Sequence, residues 1–197
     1  MENFVCRLEK NINRIKELFA NDGVIRFRRF TFCENIEGCL VYFDGMVNAE
    51  LINESIMRPL VFARSVPSQA TPVDFVYKNL LCAGEVKQEE DLRSAVSSIL
   101  YGDTLLLIEG SFKALVINTK GWRTRGISEP ENERVLEGPR EGFDEAAMFS
   151  VAMIRRRLKT PDFCAELTKV GRRTDTFIFS MRFLSSLRTA LFTRDLR

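Results

Sequence analysis

The chain has no histidine. That absence rules out a serine–histidine–carboxylate triad and removes the most versatile neutral ligand for zinc. Cysteine is sparse and scattered: Cys6, Cys33, Cys39, Cys82 and Cys164 are an odd number with no Cys-x-x-Cys pair. Neither a thiolate cage nor a disulfide framework is expected from them, and reduced thiols are the simpler reading. No metal, cofactor or catalytic residue is therefore assigned. Long apolar runs are missing as well, since nowhere do roughly eighteen apolar residues follow one another, and no segment is expected to cross a bilayer. The opening MENFVCRLEKN lacks the apolar core of a secretion signal. Charge of one sign is absent too: 29 Lys and Arg face 27 Asp and Glu, giving +2 and no strong pull toward nucleic acid. Finally, Gly121, Gly126, Gly138 and Gly142 do not form a phosphate loop, which requires a lysine after its last glycine.

What is present is enough for a core: 197 residues, 45% of them apolar. Residues 8–19 carry Leu8, Ile12, Ile15 and Phe19 on one helical face. Asn21, Asp22 and Gly23 are a turn signal, after which VIRFRRFTF (24–32) reads as a strand. Its Arg26, Arg28 and Arg29 suggest a nucleic-acid surface only if a wider basic patch surrounds them. None is evident, and a strand with one solvated face is preferred. Residues 39–43 are a continuous apolar run, read as a buried strand ending at Asp44-Gly45. A helix over 49–57 follows, capped by Asn48 and closed by Pro59, which implies half of a βαβ crossover. Residues 64–72 read as a polar loop, and 73–81 is ambiguous. Residues 89–100 read as a helix, and 104–108 with 114–118 as a hairpin across Glu109-Gly110-Ser111. The expected fold class is α/β: a mixed β-sheet flanked by helices over 1–120, followed by a second, incomplete α/β subdomain.

Between the two subdomains lies WRTRGISEPENERVLEGPREGF, residues 122–143. Ser128 and Glu131 have the spacing of a capping box and Pro130 suits a first turn, while Gly138 followed by Pro139 is a helix stop. A second helix is expected from Asp144, stapled by Phe143 and Met148, with Ala147, Val151, Ile154 and Leu158 inward and Arg155, Arg156 and Arg157 at its end, where the helix dipole favours cations. A strand is expected over 174–179. The stretch 122–143 closely resembles the signature of the GerA family, the A subunits of nutrient germinant receptors of spore-forming bacteria. The likeness extends to 42–60, 101–122 and 171–179, about residues 17–179 in all. It implies the soluble N-terminal region of such a subunit, on the cytoplasmic side of the spore inner membrane, working in nutrient sensing and signal transmission. The implied partners are other receptor subunits of the B and C type and a small-molecule nutrient. The resemblance fades near residue 180, so 181–197 is expected to be a divergent tail, read as the product of a truncated or frameshifted gene rather than as a basic membrane-surface helix or a packing helix.

Chemistry is thin in this stretch. Glu129, Glu131, Glu133, Glu137, Glu141, Asp144 and Glu145 are a carboxylate cluster fit for acid–base work or a hard cation. Arg123, Arg125, Arg134 and Arg140 are interleaved with them, and charge-assisted hydrogen bonding that fixes helices to a loop is the more economical reading. The expected structural network is Arg123, Arg125, Glu129, Glu131 and Arg134, and the enzyme reading is kept as the alternative. The expected signalling loop is Gly138, Pro139, Arg140, Glu141, Gly142 and Phe143, where the adjacent Arg140 and Glu141, on an extended backbone, each grip a different subdomain.

Overall fold

The computed structural model describes residues 3–19, 22–121, 147–170 and 176–183. The chain opens with helix α1 (Leu8–Leu18), whose Leu8, Ile12 and Ile15 are buried as their spacing predicts. Strands β1 (Ile25–Phe32) and β2 (Ile36–Phe43) form a hairpin, and Cys33 and Glu34 in its turn both take positive φ. A helix over 49–62 follows in three pieces: α2 (Ala49–Leu51), a π-helical turn (Ile52–Met57) and α3 (Arg58–Phe62). After the loop come α4 (Pro72–Phe75), which continues as a π-turn (Val76–Leu80), and strand β3 (Val86–Glu89). Helix α5 (Leu92–Leu100) leads into the hairpin β4 (Thr104–Ile108) and β5 (Ala114–Ile117). Beyond it lie α6 (Ala147–Arg157), β6 (Phe163–Val170) and β7 (Thr176–Phe183).

Five strands make one sheet in the order β1-β2-β4-β5-β3, and β6 pairs with β7 apart from it. The side-chain period of two explains why β2, β4 and β5 read as unbroken apolar runs. Cys39, Val41, Phe43, Leu105, Leu107, Ala114 and Val116 point to one face, into a core filled by α1, α5 and α6. Leu40, Leu106, Ile108, Leu115 and Ile117 point to the other, under the helices of 49–62 and 72–80. The architecture is therefore α/β with helices on both faces of the sheet, as expected.

The βαβ crossover is not formed, because every described strand pairing is antiparallel. The chain leaving β2 lays β3 on the far edge and returns through α5, so β4 re-enters beside β2 in the opposite direction. Continuous apolar character reports burial on both faces here, not parallel pairing. Pro59 does not close its helix either. A residue with an amide at position 59 would bond the Ser55 carbonyl, and the Cys82 amide takes that acceptor instead, at 3.1 Å. The helix runs on to Phe62. Asn48 caps it as predicted, accepting from the amides of Glu50 (3.0 Å) and Leu51 (3.2 Å).

Candidate functional site

All the residues assigned to the signalling loop and the charge network lie outside the described residues: Gly138, Pro139, Arg140, Glu141, Gly142 and Phe143, with Arg123, Arg125, Glu129, Glu131 and Arg134. What is described is the junction where the second unit meets the first, and it is built from four short pieces. The Asp22-Gly23 turn ends the α1–β1 connection. The turn after β2 carries Gly45 at φ +79. Helix α6 and strand β6 supply the other side.

Arg155 is the centre of this junction and is fully buried. Its guanidinium donates to the Asp22 carboxylate and, at 3.3 Å, to the Phe163 carbonyl. It lies over the Phe43 ring at 4.0 Å and the Phe163 ring at 4.9 Å, so charge and π-face contacts hold the same plane. Asp22 does more than neutralise it. One carboxylate oxygen accepts from the Val24 amide (2.8 Å), which fixes the turn, and the other accepts from the Ala165 amide at 3.3 Å. Gly23 donates back to the Ala165 carbonyl at 2.9 Å. Burial lowers the pKa of Arg155, and the Asp22 carboxylate opposes that shift. Burial first, then the Asp22 charge, raises the pKa of the neighbouring Cys164 thiol.

Apolar contact completes the seat. Val151 and Ala152 are buried, and a Cβ added at Gly45 would stand 3.0 Å from Met148 Cγ and 3.6 Å from Ala152 Cβ. A larger residue at position 45 would push α6 away as well as strain the turn. A second contact between the units uses Tyr101, at the end of α5, whose ring lies 4.7 Å from Lys120 Nζ and 4.3 Å from Lys159 Nζ. Lys120 also pairs with Asp103 at 2.5 Å.

Sequence reasoning placed Arg155 among surface cations at a helix end and put Ile154 and Leu158 inward. The structure buries Val151, Ala152 and Arg155 and leaves Ile154 and Leu158 half-exposed. The signal was available: Met148, Val151, Ala152 and Arg155 fall at i, i+3, i+4 and i+7, so the arginine occupies a stripe position normally apolar. Strand β6 was missed altogether. By contrast Arg26, Arg28 and Arg29 are exposed and meet Asp44, Asn53 and Glu9, but they lie on both faces of β1 rather than on one solvated face. Among the described residues no group of three Cys, Asp or Glu is placed to hold a metal, and no helix is long and apolar enough to cross a membrane.

Among the described residues, α6 and β6 meet an α/β unit of five strands at a buried ion pair and an apolar seat. The chain belongs to the Bacillus/Clostridium GerA spore germination protein family, whose model matches residues 13–185. It is 31% identical over 176 residues to spore germination protein KA of Bacillus subtilis, covering 88% of this chain and 32% of that protein. It is also 31% identical over 169 residues to the membrane protein YfkQ of Bacillus subtilis, covering 86% of this chain and 33% of that one. The chain thus spans about a third of the length of these curated relatives. Among solved structures, the N-terminal domain of the A subunit of the Bacillus megaterium spore germinant receptor GerK3 shares the fold, with a TM-score of 0.73 at 22% identity, covering 95% of this chain and 72% of that chain.

Proposed function

We propose that this chain is the N-terminal region of a spore germinant receptor A subunit, acting in nutrient sensing and signal transmission during germination. The observation that carries the reading is the family match across residues 13–185, which takes in both units and the junction between them. On this reading residues 1–120 and 144–180 are two subdomains and 121–143 connects them. The region works on the cytoplasmic side of the spore inner membrane, beside B- and C-type subunits, in response to a small-molecule nutrient. On this reading it is not an enzyme, and the carboxylates of 129–145, which lie outside the described residues, serve structure rather than acid–base or cation chemistry.

A signal passing between the subdomains has to cross their connection, and residues 138–143 are the proposed crossing. Arg140 suits bidentate pairing with a carboxylate, which lysine does not reproduce. The test uses the full-length receptor in spores and compares Arg140→Ala, Arg140→Lys and Gly138→Ala for receptor abundance and germination rate. Both arginine variants should slow germination at normal abundance, whereas Gly138→Ala should reduce abundance. Normal germination at normal abundance in both arginine variants would exclude the loop as the crossing.

A further inference from the structure

We propose that α6, β6 and β7 dock reversibly on the five-stranded unit, with the Arg155–Asp22 ion pair as the catch that sets the docked position. The docking claim stands on geometry, and its role in signalling rests on the receptor reading above.

The contact between the units joins a few apolar side chains to specific polar links. Among the described residues, Val151, Ala152 and Ala165 of the second unit enter the shared core, Met148 and Phe179 pack at its margin, and Phe163 and Cys164 are buried as well. Ile178, Met181 and Phe183 of β7 are exposed instead. Strand β6 does not extend the large sheet, and its backbone meets the Asp22-Gly23 turn through the two Ala165 hydrogen bonds at 2.9 and 3.3 Å. Into this contact the chain places a fully buried guanidinium and a buried carboxylate.

That choice has a physical consequence. A well-packed apolar replacement of a buried ion pair is often neutral or stabilising, because docking two charges strips both of water. Undocking returns that hydration, so an ion pair lowers the cost of opening relative to an apolar seal of equal area. Docking in a shifted register is penalised heavily, since a guanidinium buried away from its carboxylate has no compensation. The pair therefore defines one closed position and leaves it easy to leave. Removing the Asp22 charge tests this, because Asp22→Asn keeps one oxygen acceptor for the Val24 amide that fixes the turn and takes the other oxygen from Arg155 and the Ala165 amide.

The experiment is native-state hydrogen exchange, read by NMR on the 197-residue chain in subdenaturing urea. The Gly23 and Ala165 amides should exchange at least tenfold faster than the amides of Leu106 and Leu107 in β4. Asp22→Asn should speed the Gly23 amide, whose Ala165 carbonyl acceptor the substitution leaves in place, at least a further tenfold and leave β4 unchanged. Exchange of Gly23 and Ala165 at the β4 rate in the unaltered chain would overturn the proposal, whether or not the variant folds. So would an equal acceleration of β4 in the variant. Asp22→Asn in the full-length receptor separates the two readings: faster local exchange with unaltered germination would keep the docking and remove its signalling role.

Discussion

Single residues decide where this chain tolerates change, and the glycines separate cleanly. A Cβ at Gly121 would lie 2.4 Å from the backbone nitrogen of Asn48 and 2.5 Å from its Cα. Those atoms are held in place, because the Asn48 amide bonds the Thr119 carbonyl at 2.8 Å and Gly121 itself donates to Met46. At Gly84, by contrast, nothing lies within 4 Å of an added Cβ. Gly121→Ala should therefore cost about 1–3 kcal/mol, the range for forced overpacking, while Gly84→Ala should be close to neutral. Urea denaturation of the two variants side by side checks this. Cys39 supplies a pH dependence. Its thiol is fully buried in the sheet, and burial lifts its pKa from 9.0 to about 11. The unfolded chain releases that proton near pH 9 while the folded chain holds it, so the stability due to the neutral thiol is complete below pH 9 and is lost as pH rises toward 11. At about 1.4 kcal/mol per pH unit the loss is on the order of 2 kcal/mol. Measured between pH 8 and 11, stability should fall less steeply in Cys39→Ala than in the parent, and equal slopes would refute the assignment.

At the level of elements, the sequence was most readable where periodicity and caps agree. Helix α1 shows its buried stripe openly, and α5 begins at Asp91, whose carboxylate accepts from the Arg93 and Ser94 amides. Strands β4 and β5 were legible from apolar runs around a Glu-Gly-Ser turn. The failures share a cause, which is that a tertiary partner supplied what local rules said was missing. Pro59 reads as a stop until the Cys82 amide, 27 positions from Ser55, takes the orphaned carbonyl. Strand β3 carries Lys87 and Gln88 on an edge and gives no apolar alternation to detect. Arg155 looks like a surface cation until Asp22 is brought to it across 133 residues. Where a cap was read correctly, its contribution can be measured. Asn48→Ala keeps the Cβ that packs against Gly121 but removes the oxygen serving Glu50 and Leu51, so about 1 kcal/mol should be lost. Asn48→Asp should restore most of it, and an Asp variant no better than Ala in thermal denaturation would show that the cap is not the source.

The whole molecule has two cores of unequal dependence on its second unit. Among the described residues, the core under the helices of 49–62 and 72–80 draws none from α6, β6 or β7. The core on the opposite face draws Val151, Ala152 and Ala165 from them, but α1 and α5 already cover most of it. The five-stranded unit should consequently fold when the chain is cut after Gly121. Cutting there uncovers the Phe43 ring face that Arg155 covers at 4.0 Å and returns Asp22 to water. Exposing that side chain costs about 1.5–3 kcal/mol by transfer, an upper bound because neighbouring side chains close over part of the gap. The shortened chain should then give dispersed amide spectra for β2, β4 and β5 and unfold cooperatively at lower urea than the full chain. Collapse of the shortened chain into an unfolded or molten state would mean that α6 and β6 supply far more of the shared core than Val151, Ala152 and Ala165 account for.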